Sequence, residues 1–312
     1  MDTVGFRATA GTNPRTARET GTLAVPGAHL YYEVRGSGPL LLLLCGGNSD
    51  AAVFDGLADH FAADHRVLTL DPRGNSRSSL DGPPVDQSID VHADDAHRLL
   101  DLVADPDEPV RIFGSCSGGL IALRLAIRLA VPRPQRLAAL VVHEPPAYAL
   151  LPDAAQQLAF IDAVHATYRR EGIEAAMDRF SAAFGGRPAP VLPEENDNTD
   201  FFLAHVLRPF SHCVPDLAGL APLTGRIVVA GGQDSRTHEV HRPAVALAER
   251  LGKELVLFPG GHVGYVKHPD DFGALLRTSF EGETATGGGE TASGNSPCAP
   301  AVGIAGVRDL RA

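Results

Sequence analysis

One cysteine lies in a segment typical of a nucleophile held on a sharp turn. The segment "GSCSGG" covers 114–119 and follows a short apolar strand pattern at 110–113. A nucleophile at a strand-to-helix turn needs small residues two positions before it and two positions after it. With Cys116 at the centre of the turn, Gly114 and Gly118 fill these two positions. The spacing therefore predicts that Cys116 is the nucleophile.

A neighbouring serine offers a second register for the same turn. With Ser117 at the centre, Ser115 and Gly119 would take the two small positions, which is possible but a poorer fit. The other reading of Cys116 is a buried cysteine that packs as a small hydrophobe. The side chain at such a turn projects away from the backbone, which argues against that reading and leaves Ser117 as the alternative nucleophile.

The chemistry expected of Cys116 is nucleophilic attack on an acyl group. A helix N-terminus and a neighbouring imidazole both stabilise a thiolate and lower the pKa of a cysteine from its usual value of about 8.5. A thiolate attacks acyl carbon without needing a strong base. The histidine that we expect beside it is His262, in the segment "FPGGHVGY", where it directly follows a predicted strand. His262 would act as the general base and then as the general acid.

Two acidic residues compete for the role of orienting this histidine. Asp234 follows the predicted strand at 225–232, and we assign it as the acid that holds the His262 tautomer and stabilises the imidazolium. Glu144, in "HEPP" at the end of an earlier strand, is the alternative acid or a residue of the pocket.

The backbone supplies the expected oxyanion hole. The segment "CGGNSD", residues 45–50, forms a turn after a strongly apolar strand. We predict that the N–H groups of Gly47 and Ser117 bind the oxyanion, because two converging backbone donors are what such a site requires.

The elements that must position these residues alternate regularly between strand and helix. Alternation of this kind implies right-handed βαβ units and a mostly parallel sheet flanked by helices. It pauses at 145–222, where helical patterns predict a cap. We therefore divide the chain into a flexible N-terminus (1–21), an α/β core (22–144 and 223–280), a helical cap insertion (145–222) and a Gly/Thr/Ser-rich flexible tail (281–312).

The motifs together resemble the α/β-hydrolase superfamily. The chain order of nucleophile, acid and histidine is that of the superfamily, and "DPRGNSRSS" is similar to its D-x-R-G-x-G-x-S loop. The resemblance covers 22–280 and implies an α/β-hydrolase fold with a helical cap inserted after the sixth strand. The motifs look most like those of cap-bearing actinobacterial members, whose nucleophile turn (the nucleophile elbow) usually carries serine.

Two departures from the superfamily pattern concern cysteines. The "CGG" turn resembles the family's H-G-G motif with Cys45 in place of the histidine, and this leaves the backbone donors intact. The elbow around Cys116 resembles that of dienelactone hydrolases, which carry G-x-C-x-G-G in the same fold. Because no other segment matches those enzymes, their lactone specificity is not implied.

Three functions remain open from the sequence. The leading hypothesis is a hydrolase of ester, lactone or thioester bonds that forms a covalent acyl-enzyme on Cys116. The second is an acyltransferase or cyclase that uses the same residues, since a thioester also reacts well with amines. The third is a small-molecule binding protein without catalysis on the same fold. The substrate and the oligomeric state cannot be read from the sequence.

Composition narrows the partners. The chain has 312 residues and a formal net charge of −11 without a basic run, so neither nucleic acid nor an anionic membrane surface is expected as a partner. The longest apolar run, "PLLLLLC", is too short to span a bilayer, and the N-terminus has no apolar signal segment, which predicts a cytoplasmic protein. The four cysteines have neither metal-ligand nor disulfide spacing. We expect a small acyl substrate and no cofactor or metal.

Overall fold

A single mixed sheet organises the molecule. The computed structural model describes residues 7–9, 17–186 and 198–284. The strands of the described residues are β1 (Arg7–Thr9), β2 (Arg18–Val25), β3 (Ala28–Arg35), β4 (Leu40–Leu44), β5 (Arg66–Leu70), β6 (Ser79–Leu80), β7 (Val110–Ser115), β8 (Leu137–His143), β9 (Ile227–Gly232) and β10 (Leu255–Phe258). They are arranged in the order β1-β2-β3-β5-β4-β7-β8-β9-β10, and β6 pairs with β3. Neighbouring strands along the stretch β5-β4-β7-β8-β9-β10 are parallel, and all pairs that involve β1, β2 or β3 are antiparallel. This confirms the predicted α/β-hydrolase fold class.

The strand β4 lies at the centre of the parallel part. Its five leucines are all buried, and Leu42 pairs with Leu68 of β5 on one side and with Ile112 of β7 on the other. A strand covered by helices on both faces has no reason to alternate between apolar and polar residues. The unbroken "LLLLL" is therefore the sequence expected of this position.

Helices cover both faces of the sheet. The helices of the core are α1 (Asp55–Phe61), α2 (Ile89–Val103), α3 (Ser117–Ala130), α8 (Leu217–Leu220), α9 (Arg242–Arg250), α10 (Gly264–Lys267) and α11 (Pro269–Thr284), and those of the cap are α4 (Ala154–Glu171), α5 (Ile173–Phe180), α6 (Asn198–Phe201) and α7 (Leu207–Ser211). One apolar cluster joins α2, α3 and α9 to the sheet and continues into the cap. A second cluster joins α1, α10 and α11 to the opposite face.

The cap lies between β8 and β9, inside the predicted insertion at 145–222. Its last helical segment contains a π-helical stretch, Phe202–Val206, that runs directly into α7. Pro209 of α7 has no backbone N–H, so the carbonyl of His205 cannot receive its usual bond within the helix. The backbone N–H of Gln87 donates to that carbonyl at 2.9 Å. This bond ties the cap to the loop that precedes α2.

The chain ends differ in part from the sequence prediction. Residues 1–21 are predicted to be loose, but Arg7–Thr9 pairs with the first residues of β2, which begins at Arg18. Backbone pairing at a sheet edge needs no apolar pattern, and Arg18 adds an ion pair with the buried Glu33 at 3.2 Å. At the other end, α11 continues to Thr284, and residues 285–312 of the predicted tail lie outside the described residues.

Candidate active site

Cys116 occupies a strained turn between β7 and α3. Its backbone angles are φ 54° and ψ −128°, a combination that residues with a side chain rarely adopt. A Cβ atom on Gly114 would collide with the carbonyl of Gly118, and one on Gly118 would collide with the carbonyl of Leu44. The two glycines thus permit the turn in the register centred on Cys116. Ser117 is instead the first residue of α3.

His262 and Glu144 form a hydrogen-bonded pair beside Cys116. His262 Nδ1 lies 2.8 Å from Glu144 Oε2, and the side chain of Glu144 is fully buried. His262 also interacts with the thiol of Cys116 and shifts its pKa, and both side chains line the same cavity. Because Nδ1 faces the carboxylate, the other ring nitrogen is the one available to the thiol. The three side chains are therefore arranged in the order carboxylate, imidazole, sulfur.

The charges within this group favour a thiolate next to an imidazolium. Burial alone would raise the pKa of Cys116, but the charge and hydrogen bond of His262 and the backbone N–H of Ser117 hold it below its ordinary value. Burial alone would lower the pKa of His262, but Cys116 and Glu144 raise it to about 10. The pKa of Glu144 is held well below its usual range despite burial, because both His241 and His262 bond to its carboxylate. The two shifts therefore both favour a thiolate paired with an imidazolium.

The carboxylate of Glu144 is held by bonds from several elements. Oε1 accepts hydrogen bonds from the backbone N–H of Gly232 at 2.9 Å, from the hydroxyl of Ser235 and from His241, whose Nδ1 lies 2.9 Å away. Glu144 itself has a left-handed backbone angle, φ 44°. Such a conformation turns the side chain at the end of β8 towards the end of β9, where these donors lie. Ser235 and His241 were not identified from the sequence as functional residues.

Asp234, the acid preferred from the sequence, does not contact His262. Its side chain is exposed. Among the described residues, no hydrogen bond or ion pair joins the Asp234 carboxylate to the imidazole of His262. The backbone N–H of Asp234 donates to the carbonyl of Gly260 at 2.9 Å, and the turn points the next residue, Ser235, inwards. The expected Asp234–His262 pair is therefore replaced by Glu144–His262.

Of the predicted oxyanion donors, Ser117 directly follows Cys116, and Gly47 meets Ser117 from the loop after β4. The N–H of Gly47 points to the hydroxyl of Ser117, with the nitrogen 3.2 Å from Oγ, and the same Oγ lies 3.9 Å from the sulfur of Cys116. Gly47 has φ 62°, a conformation that favours glycine. The Ser117 hydroxyl thus sits beside the N–H that would bind an oxyanion, and an incoming substrate oxygen would compete with it for this donor.

Buried polar contacts fix the loop that carries Gly47. Asn75 donates to the carbonyl of Ser49 at 2.8 Å, and Asp71 accepts from the N–H of Ala51 at 2.9 Å. In the cap, Asn198 donates to the carbonyl of Asn48 at 3.0 Å. The loop is therefore held both from the core and from the cap, which preorganises its backbone donors.

A cavity of about 860 Å³, counted with its opening to solvent, leads to Cys116. The core contributes the polar wall, and the cap contributes mostly apolar side chains. The cap residues that line it are Pro146, Tyr148, Met177, Phe180, Phe184, Phe202, Leu207, Phe210 and Ser211. The ring of Phe184 packs edge-on against His262, with centroids 5.5 Å apart. The cavity is thus mostly apolar on its cap side, and Cys116 lies in its wall.

Other features of the sequence have no part in this cavity. Among the described residues, no group of His, Cys, Asp and Glu side chains could hold a metal ion. No helix of the described ranges is long and apolar enough to cross a membrane. Cys45 is buried at the end of β4 and is not part of the cavity wall.

Comparisons with known proteins agree with this architecture. A family model described as the alpha/beta hydrolase fold matches residues 39–185. The uncharacterized hydrolase YraK of Bacillus subtilis (strain 168) is 35% identical over 271 residues, which cover 84% of this chain and 96% of that protein. A thermophilic esterase from Thermogutta terrifontis superposes with a TM-score of 0.62 at 19% identity, covering 84% of this chain and 97% of its own. The enol-lactonase from Burkholderia xenovorans LB400 superposes with a TM-score of 0.54 at 18% identity, covering 83% and 99%.

The two solved structures share the fold at low identity, whereas the bacillary relative matches nearly from end to end. Together with the sheet order and the position of the cap, that relative establishes the family. The chain therefore belongs to the α/β-hydrolase family, and it is an enzyme of the hydrolase class.

Proposed function

We propose that the protein hydrolyses uncharged esters, lactones or thioesters through a covalent thioester on Cys116. The observation that carries the proposal is the hydrogen-bonded pair Glu144–His262 beside Cys116, whose thiol sits at a strained turn in the wall of the same largely apolar cavity. A thiol that only packed in the interior would need neither a charged partner nor a strained backbone. This argues for catalysis over binding alone.

The first half of the reaction acylates the sulfur. The thiolate of Cys116 attacks the carbonyl carbon, and the carbonyl oxygen takes up the negative charge. The N–H groups of Gly47 and Ser117 then bind this oxyanion. As the tetrahedral intermediate collapses, the bond to the leaving oxygen or sulfur breaks, and His262 donates its proton to the departing group.

The second half returns the enzyme to its starting state. His262 is now neutral and removes a proton from water, and the resulting hydroxide attacks the thioester carbon. The intermediate collapses with release of the carboxylic acid and the Cys116 thiolate, and His262 keeps the proton. Glu144 is not consumed in either half, because it only fixes the His262 ring and stabilises its positive charge.

The cavity supports uncharged substrates. No lysine or arginine is found among the residues described as lining it, and the Glu144 carboxylate is already bonded to its own partners. An anionic group would therefore find no counter-charge there, and a cation would have only a carboxylate that is fully engaged. The names of the structural relatives, an esterase and an enol-lactonase, are consistent with this substrate class.

The proposal is tested by steady-state turnover of p-nitrophenyl acetate, butyrate, hexanoate and decanoate. Cys116→Ala is expected to fall to the uncatalysed rate, since no other thiol lines the cavity described here. His262→Ala is expected to lose at least about 10²-fold in kcat/KM, the usual contribution of acid–base transfer. Cys116→Ser should keep measurable activity, because Glu144 and His262 can still activate a hydroxyl.

The matched control is Cys213→Ala. Cys213 is a half-buried thiol outside the cavity, so its removal should leave turnover unchanged. Full turnover by Cys116→Ala would contradict the proposal. Product analysis with added alcohol or amine separates hydrolysis from acyl transfer: a hydrolase yields free acid, whereas a transferase yields mainly the new ester or amide.

A further inference from the structure

Two hydroxyl groups in the cap wall of the cavity have no hydrogen-bond partner in the described part of the chain. They belong to Tyr148, which is 4% exposed, and to Ser211, which is 2% exposed. Both residues line the cavity. Neither hydroxyl oxygen is among the fully buried unpaired atoms, so both open onto the cavity, where water or a ligand can bond to them. A ligand that displaces water from this part of the cavity would have to supply a hydrogen-bond partner for them, because a desolvated unpaired hydroxyl is costly.

Tyr148 is placed close to the reacting groups and is held firmly. It begins the short 3-10 turn Tyr148–Leu150, four residues after Glu144 and directly after two prolines and an alanine, "PPA". Burial, together with the charges of Cys116, Glu239 and Glu144, raises the pKa of Tyr148. The phenol consequently stays protonated and uncharged, and it can donate a hydrogen bond.

Ser211 ends the cap helix α7, next to Phe210, which also lines the cavity. A serine hydroxyl both donates and accepts. The two hydroxyls thus interrupt a wall that is otherwise built from aromatic and aliphatic side chains. Neither is needed to hold the triad, since Glu144 and His262 take their bonds from other groups.

We propose that Tyr148 and Ser211 form a polar subsite that binds an uncharged oxygen of the substrate, in an ether, carbonyl or hydroxyl group, separate from the carbonyl that Cys116 attacks. This inference rests on the proposed function, which assigns the scissile carbonyl to Gly47 and Ser117. The substrate class becomes an acyl compound with a second oxygen in its apolar part. A charged group is disfavoured because no cationic side chain lines the described cavity.

The first test compares esters of equal length that differ by one atom. The substrates are p-nitrophenyl hexanoate, p-nitrophenyl 3-ethoxypropanoate and p-nitrophenyl 2-propoxyacetate, in which an ether oxygen replaces one methylene at two different positions. In Tyr148→Phe or Ser211→Ala, kcat/KM for at least one ether ester should fall about tenfold, the value of one lost hydrogen bond. Hexanoate should change less than about twofold, because it offers no second acceptor.

Tyr168→Phe is the matched control. The Tyr168 hydroxyl is already bonded to Asp200 at 2.7 Å and is not part of the cavity wall. This variant should leave the ratio of ether ester to hexanoate unchanged. If Tyr148→Phe and Ser211→Ala lower all three esters equally, or leave all three unchanged, the subsite is refuted, because a structural role would not distinguish the substrates.

The second test uses binding, so that it does not depend on turnover. The Cys116→Ala protein is titrated with 2-heptanone and with its ether analogue 4-ethoxy-2-butanone, and binding is followed by ligand-observed NMR. Adding Tyr148→Phe or Ser211→Ala should weaken binding of the ether analogue about five- to tenfold and leave the ketone unchanged. If the variants bind only the ether analogue more weakly, and the wild-type protein hydrolyses no ester, the subsite is retained and the proposed function is rejected. Equal effects on both ligands would reject the subsite alone.

Discussion

The two walls of the cavity are built in opposite ways. On the strand-end wall, the ionisable groups are joined to one another: Glu144 receives four hydrogen bonds, and His262 lies between it and Cys116. On the cap wall, aromatic rings dominate, and the hydroxyls of Tyr148 and Ser211 are unpaired among the described residues. The groups that need a fixed charge and direction take their hydrogen bonds from the protein itself. The groups proposed to recognise a ligand keep hydroxyls that are free to bond to that ligand. Chemistry and selectivity should therefore respond to different substitutions.

The strongest test of the strand-end wall compares its two candidate acids. Glu144→Gln removes the negative charge that stabilises the His262 imidazolium, so kcat/KM should fall by at least about 10²-fold. Asp234→Asn alters an exposed side chain without a bond to His262 and should stay within about twofold of the parent rate. Both are measured as kcat/KM for p-nitrophenyl butyrate across pH.

The pH profile adds a second readout to this pair. The raised pKa of His262, to about 10, depends in part on Glu144. Removing the carboxylate's charge should therefore lower that pKa and move the alkaline limb of the profile to lower pH. If Asp234→Asn were the more damaging change, or if Glu144→Gln left both rate and profile unmoved, the assignment of Glu144 would be refuted.

A smaller effect is expected from Ser117→Ala, at the junction between nucleophile and oxyanion hole. The hydroxyl lies 3.9 Å from the Cys116 sulfur and helps to hold the thiol pKa down. Without it, the pH dependence of iodoacetamide alkylation at Cys116 should shift to higher pH, and turnover should fall no more than about tenfold. An unmoved alkylation profile would show that the hydroxyl does not contact the thiolate, and complete loss of turnover would favour Ser117 as the nucleophile.

The smallest effect on chemistry is expected from the cap wall. Met177 lines the cavity from α5, and its thioether side chain carries no charge. Met177→Ala should leave kcat/KM for p-nitrophenyl acetate within about twofold and improve decanoate relative to butyrate by about threefold or more, because pocket volume discriminates modestly between chain lengths. A large loss of kcat/KM for p-nitrophenyl acetate would contradict the view that the cap wall affects selectivity and leaves the chemistry unchanged.

The residues that the sequence identified well are those under strong local constraint. Gly114 and Gly118 are required by steric collisions that any side chain would cause, so their spacing marks the turn at Cys116. The "LLLLL" strand and the alternation around it are similarly fixed by burial on both faces, and they are sufficient to predict the sheet. His262 was predicted from its place in the loop after the last strand, and the structure has it bonded to Glu144 in the cavity wall. Its catalytic role stays a prediction.

The sequence preferred Asp234 over Glu144 as the hydrogen-bond partner of His262, and the structure has Glu144 instead, because two neighbouring strands end at the same edge. The strands β8 and β9 are paired in parallel, so Glu144 and Asp234 both follow strand ends that lie side by side. Which side chain turns inwards is decided by the left-handed backbone of Glu144 and by the turn that directs Ser235 towards it. Neither conformation has a local sequence signature for a residue other than glycine.

The helices of the cap were predicted from the sequence, but the cap side chains that line the cavity were not. Which of its side chains face the cavity depends on how α4, α5 and α7 pack on the core, including the π-helical stretch at Phe202–Val206. Helical periodicity identifies an apolar face but does not tell a core contact from a ligand contact. For that reason the sequence did not identify Tyr148 and Ser211 as ligand contacts. Only their unpaired hydroxyls in the folded chain point to that role.

The most direct test of the central claim identifies the atom that carries the acyl group. The protein is mixed with p-nitrophenyl hexanoate, quenched in acid and digested with trypsin, and the peptide 112–124, which contains Cys116 and Ser117, is analysed by mass spectrometry. The account predicts a hexanoyl adduct on this peptide that neutral hydroxylamine removes, as it does for a thioester, and that is absent from Cys116→Ala. An adduct that resists neutral hydroxylamine or persists in Cys116→Ala would contradict the account, because it would place the acyl group on an oxygen such as that of Ser117.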